Sequence, residues 1–201
     1  MNGNRLIIIS APSGTGKTSV IQRLLVTHPN MIHSVSCTTR PKRGAEVDGK
    51  DYHFIPQETF QQWIKEEKFV EWAKVHHRYY GTLKAPLDEA LQEGRDVVLD
   101  LDVEGGMALK KIYGERALTL FLLPPSVEEL ERRLSERGTD SLEERQIRLD
   151  NAHHELAHKD RYNHQIMNDN LKHACEAIEK ILGKGTRDYG QETIDSRQKK
   201  K

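Results

Sequence analysis

The segment IIISAPSGTGKTS runs from apolar residues through a glycine-rich turn to Lys17 and Thr18. Its spacing matches the phosphate-binding pattern G-x-x-x-x-G-K-[ST], except that Ala11 stands at the first glycine position. In such a segment the turn from Ala11 through Pro12, Ser13, Gly14, Thr15 and Gly16 cradles nucleotide phosphates at the positive end of the following helix. Lys17 then reaches the β and γ phosphates, and the Thr18 hydroxyl is placed for Mg2+. A plain glycine-rich strand-to-helix turn is the alternative. The Ala11 methyl fits if its φ is negative. Two acids, Asp100 and Asp102 in VVLDLD, share one face by strand alternation at the carboxyl end of an apolar run. They are placed either to position Mg2+ or its waters, or to cap a helix near Gly105. A third group is the cation knot SCTTRPKRG, with Arg40, Lys42 and Arg43. The 31 basic residues equal the 31 acidic ones, so a polyanion must be gripped by local clusters of this kind.

The elements that must hold these groups follow from the hydrophobic pattern. Leu6 to Ile9, Val97 to Leu101 and Leu118 to Leu123 are nearly continuous apolar runs, as in strands buried on both faces of a parallel sheet. Val20, Ile21, Leu24 and Leu25 make a helical stripe closed by Pro29, and Leu87, Ala90 and Leu91 make another, opened by Pro86 and ended by Gly94. Ser126 with Glu129, and Ser141 with Glu144, have capping-box spacing, with ERGTD as the turn between two helices. HQIMNDNLKHACEAIEKIL suits a last strand and helix. The alternation predicts an α/β fold with a central parallel sheet flanked by helices. Residues 34–94 break this rhythm with short extended pieces and one helix around Phe60 to Ile64, which predicts an inserted lobe.

A chain of 201 residues is expected to form a single domain over 1–183, with core pieces 1–33, 95–125 and 150–183 and a polar, flexible tail over 184–201. Cys37 and Cys175 have no C-x-x-C spacing, which argues against a disulfide framework or zinc site and suits a reducing compartment. No signal peptide or membrane span is expected, and a cytoplasmic protein without a nucleic-acid or membrane partner is. Whether it is a monomer or a homo-oligomer stays open. His76 with His77, and His153 with His154, are expected at the surface, and Trp63 and Trp72 in the lobe's small core.

Several motifs in order now point further: SAPSGTGKTS, SVSCTTRPKRGAEVDGKDYHF, FVEWAKV, YYGT, DLD, LLPPSVEELERRLSERGTDS, Arg148 in RL, and MNDNL. Over nearly the whole chain the sequence resembles the guanylate kinase family. The resemblance implies a P-loop nucleoside monophosphate kinase fold, with an acceptor-binding insert over 34–94 and a mobile lid over 126–149. It also implies Mg2+-dependent transfer of the γ-phosphoryl group of ATP to GMP or dGMP, in line and without a covalent intermediate. Lys17 would bridge the donor's phosphates, Arg133, Arg137 and Arg148 would close over the transferring group, and Asn168 would lie near the donor's adenine. Arg40, Arg43, Tyr52 and Tyr80 would hold the acceptor's phosphate. Ser36, Glu71, Thr82 and Asp102 would read its base, and Thr18 with Asp100, through water, would hold the metal.

The residue chemistry agrees with these roles. Guanidinium forks suit a monophosphate dianion, which gives the cation knot a purpose, with Lys42 turned to solvent. Alternation puts Glu71 on the face of Phe69 and Ala73, where a carboxylate needs donors. Guanine offers two, N1–H and its exocyclic amine, whereas adenine offers a lone pair at N1. An exposed edge strand is the alternative for Glu71, and simple solvation is the alternative for the lid arginines, of which Arg133 and Arg137 are spaced i, i+4. Glu104 stands where the family has glutamine, close to Asp100 and Asp102. A non-catalytic, protein-binding scaffold and a P-loop kinase of another phosphorylated acceptor are the rival readings.

Overall fold

The computed structural model describes residues 4–75, 77–136, 142–183 and 192–194. In chain order its strands are β1 (Leu6–Ser10), β2 (Ile32–Ser34), β3 (Cys37–Thr38), β4 (His53–Phe54), β5 (Phe69–Val75), β6 (Arg78–Leu83), β7 (Val97–Asp100), β8 (Ala117–Leu123), β9 (His164–Met167) and β10 (Glu192–Ile194). Its helices are α1 (Lys17–Thr27), α2 (Gln57–Lys65), α3 (Lys84–Gln92), α4 (Val103–Tyr113), α5 (Val127–Glu136), α6 (Leu142–Leu156) and α7 (Leu171–Gly183). Six strands pair in parallel in the order β10-β9-β8-β1-β7-β2, the central sheet that the apolar runs predict.

β1 shows why those runs are unbroken. Ile7 and Ile9 face α1 and α7, joining Val20, Ile21, Leu24, Ala174 and Ile178, while Leu6 and Ile8 face the opposite layer with Leu87, Ala90, Leu91 and Leu109. Both faces are covered, so alternation disappears and each position is apolar. Burying one such side chain stabilises the fold by about 1.5–3 kcal/mol.

A second sheet, ordered β4-β3-β6-β5, is built from residues 37–83 and carries α2 on one face. Phe60 of α2 stacks on Phe69 at 4.3 Å and on Tyr79 at 5.3 Å between ring centroids. α3, which also falls within 34–94, instead sends Leu87, Ala90 and Leu91 into the main core.

Some local expectations change. Ser126 Oγ accepts from the Glu129 N–H at 3.1 Å, but the Glu129 carboxylate turns to Arg132 and Arg133, so only half of the capping box forms. Two nearby guanidinium groups outcompete one backbone donor. The Ser141 cap and the turn between α5 and α6 lie outside the described residues. Pro86 is the third residue of α3 rather than its first. Within the span read as tail, Glu192–Ile194 adds to β9, whose edge would otherwise leave backbone groups unpaired. Among the described residues no helix is long and apolar enough to cross a membrane. Cys37 and Cys175 are buried free thiols.

Candidate active site

β1 ends at the centre of the sheet, where neighbouring connections leave in opposite directions and a crevice opens at the carboxyl ends of the strands. The glycine-rich turn fills that point. Gly14 and Gly16 have φ of 91° and 92°, a region closed to most side chains, and Gly16 caps α1. Ala11 is absent from the positive-φ residues, and its methyl packs into the main core, so it fits the turn. Asn168, expected near the donor's adenine, is buried behind the turn and donates from Nδ2 to Thr15 O at 2.6 Å. Leu130 and Leu134 of α5 come within 3.2 Å and 3.1 Å of a methyl placed on Gly14, so α5 rests directly on the turn.

The strand register places Ile9 beside Asp100, and this brings the turn and the acids together. Lys17 Nζ pairs with Asp100 Oδ1 at 2.5 Å and donates to Leu101 O at 3.4 Å. Burial pulls the Lys17 pKa down, but Asp100, helped by Glu155, outweighs it and the pKa is raised. Thr18 follows on the first turn of α1 with an exposed side chain. Asp102 is the N-cap of α4 and accepts from Gly105 N at 2.8 Å, so the capping alternative holds for Oδ1 while the residue still lines the crevice. Glu104 points outward, 76% exposed, towards Arg161, so the departure at this position stays out of the crevice.

From Lys17 and Asp100 a crevice of about 230 Å3 runs towards the second sheet, lined by Ser36, Tyr52, Glu71, Tyr80, Gly81, Asp102 and Glu155, among others. Glu71 faces it, but Phe69 does not share that face. A register shift between Phe69 and Glu71 sends Phe69 under α2 and leaves Glu71 opposite Thr82, so the alternation expected from the sequence fails. Thr82, fully buried, donates from Oγ1 to Glu71 Oε1 at 2.6 Å and so acts on Glu71 from behind. Burial raises the Glu71 pKa, partly offset by the Thr82 hydrogen bond. A carboxylate with one oxygen anchored and the other towards a crevice is an acceptor for ligand donors.

Arg40 is 7% exposed and lies over the rings of Tyr52 and Phe54 at 5.1 Å and 5.5 Å. Its guanidinium makes two 2.7 Å bonds to Glu46, which raise its pKa and lower that of Glu46. Arg43 lies three residues on with an exposed side chain. Tyr52 and Tyr80 meet edge to face at 6.0 Å beside Arg40. Of the lid arginines, Arg148 reaches Ser13 Oγ in the turn at 3.4 Å, and Arg133 pairs with Glu129 on its own helix at 2.8 Å. Arg137 lies outside the described residues.

The structure adds two acids that sequence reasoning missed. Glu46 was hidden in a turn. Glu155 sits seven residues after Arg148, two turns along the same helical face, which is the one signal that could have found it. Burial pushes the Glu155 carboxyl up to about 7, against the pull of Lys17. Of the histidines expected at the surface, His77, His153 and His154 are exposed, and His76 lies outside the described residues. Trp63 packs against Phe69, but Trp72 is 47% exposed and only tilts onto Tyr79.

The family model described as guanylate kinase matches residues 3–185. A guanylate kinase of Porphyromonas gingivalis is 45% identical over 180 residues, covering 89% of this chain and 96% of the relative. One from Thermotoga maritima is 43% identical over 178 residues, covering 89% and 86%. A crystal structure of guanylate kinase from Anaplasma phagocytophilum superposes with a TM-score of 0.75 at 27% identity, covering 93% of this chain and 90% of that one.

Proposed function

The chain belongs to the guanylate kinase family, and we propose on that premise that it transfers the γ-phosphoryl group of ATP to GMP, giving ADP and GDP. The observation that carries the reading is one continuous crevice with the Lys17–Asp100 pair over the glycine turn at one end and the Thr82-anchored Glu71 at the other. ATP phosphates lie in the turn from Ala11 to Thr18. Acceptor phosphate lies on Arg40, Arg43, Tyr52 and Tyr80, and the free face of Glu71, with Ser36 and Asp102, takes the guanine edge. The deoxy acceptor dGMP presents the same base and phosphate.

Phosphoryl transfer asks for alignment and charge rather than a protein nucleophile. A phosphate oxygen of GMP attacks the γ-phosphorus in line, and the leaving oxygen departs on ADP. Lys17 gives up Asp100 for the donor's phosphates, and Arg148, already at Ser13 in the turn, meets the transferring group. Arg133 and Arg137 complete that charge when the lid over 126–149 closes and excludes water. The residues fit Mg2+: the exposed Thr18 follows Lys17 on the first turn of α1, and the Asp100 carboxylate that pairs with Lys17 is 37% exposed. Thr18 and, through water, Asp100 would hold the ion, which would supply neutralisation of phosphate charge.

A coupled ADP-release assay with GMP, dGMP, AMP, UMP and CMP tests the reading. Turnover with GMP and dGMP is expected. Turnover with AMP but not GMP overturns the base assignment, and no turnover with any of the five favours a binding scaffold.

A further inference from the structure

We propose that Glu46 is a positioning residue for the acceptor's phosphate, holding the Arg40 guanidinium by one edge so that its other edge is presented to the ligand. The inference rests on the reading of the site above. Arginine carries five N–H donors in a planar fork. Arg40 spends Nη1 on Pro41 O at 2.8 Å and on Glu46 Oε2 at 2.7 Å, and one Nη2–H on Glu46 Oε1 at 2.7 Å. That leaves the second Nη2–H and Nε–H, which lie together on the adjacent edge. Among the described residues no carboxylate or carbonyl bonds this edge, while Tyr80 packs edge to face on Tyr52, the ring that lies under the guanidinium. Two parallel N–H groups beside a phenol form a patch suited to phosphate oxygens. The rings of Tyr52 and Phe54 fix the plane of the fork, and Glu46 fixes its rotation within that plane.

Glu46 also accepts from Arg43 N at 2.7 Å, and its own N–H bonds Arg43 O at 3.0 Å, so the same carboxylate closes the turn that carries the second arginine. A guanidinium as buried as Arg40 is costly without an anion, and Glu46 supplies one before any ligand arrives. The phosphate therefore meets a finished grip instead of displacing an internal stand-in. Displacement would break three charge-assisted bonds to Glu46 and leave its carboxylate beside a dianion.

The full-length wild type, Glu46→Gln and Glu46→Asp are compared by GMP calorimetry, by KM for ATP, and by guanosine as a competitive inhibitor. Glu46→Gln is expected to weaken GMP roughly 10- to 100-fold, the scale of a misplaced binding group. KM for ATP and the inhibition constant of guanosine, which has no phosphate, stay unchanged, and Glu46→Asp recovers part of the loss. Tighter GMP binding by Glu46→Gln makes Glu46 a competitor and overturns the proposal. Unchanged GMP binding overturns it too, as does equal weakening of GMP and guanosine, which marks a misfolded lobe. Wild-type protein that binds no GMP overturns the functional reading and this inference together, whereas a binding wild type with an unaffected variant overturns the inference alone.

Discussion

Glu71 and Glu155 both line the crevice, and burial raises the pKa of both. For Glu71 the Thr82 bond keeps one oxygen occupied, so on the proposed reading of the site an amide there would set a donor against the guanine N–H groups. Glu71→Gln is expected to raise KM for GMP about 10- to 100-fold, the effect of an unpaired buried polar group, with KM for ATP unmoved. Equal changes in both constants would point to a damaged fold. Glu155 makes a different prediction. Its pKa rises from 4.5 unfolded to about 7 folded, so between those values the native state keeps a proton that the unfolded chain has lost. Stability contributed by this group is present at low pH and is lost as pH rises through that window. Glu155→Gln should therefore be more stable than wild type at pH 8, by about 1–3 kcal/mol in urea unfolding, with the advantage vanishing towards pH 4. A gain that persists at low pH would assign the effect to something other than ionisation. At this scale the sequence was half legible. An acid among apolar residues drew attention to Glu71, whereas Glu155 sits in NAHHELAHKD, where the surrounding polar residues conceal a side chain that only the helix's docking buries.

The elements differ in legibility for reasons of length. β1, β7 and β8 carry enough consecutive apolar residues to be read directly, and the glycine turn is fixed by its backbone demands. β3 and β4 have two residues each, too few for any periodicity, and the irregularity in β5 reverses the face of everything before it. Gly81 in β6 shows what that irregularity achieves. A methyl there would meet Phe69 at 2.9 Å and Phe60 and Trp72 at 3.0 Å, so the missing side chain is the space in which the aromatic rings close over the strand. Gly81→Ala should cost about 1–3 kcal/mol by overpacking, seen as a lower urea midpoint, because rings held between a helix and a sheet have little room to retreat. An unchanged midpoint would mean that α2 is free to shift.

At the scale of the whole molecule, function depends on how the second sheet is spaced from the main one. The central sheet carries the glycine turn, Lys17 and Asp100, whereas Glu71 and Arg40 belong to the segment on the other side of the crevice. α4, whose N-terminus follows β7, is the wall where they meet. A methyl on Gly105 would stand 3.2 Å from both Glu71 Oε2 and Asp102 Oδ1. Sequence reasoning treated Gly105 as the end of a cap, because no pattern along the chain shows what a helix faces across a crevice. Gly105→Ala separates stability from function. Alanine favours the helix interior by about 1 kcal/mol over glycine, so the ligand-free melting temperature should hold or rise. The added methyl nevertheless displaces the Glu71 carboxylate by a few tenths of an ångström and sets an apolar group against it. KM for GMP should rise while KM for ATP, bound on the far side, does not. A melting temperature that falls with both constants unchanged would show that the two sheets part freely at α4, and that their spacing is set elsewhere.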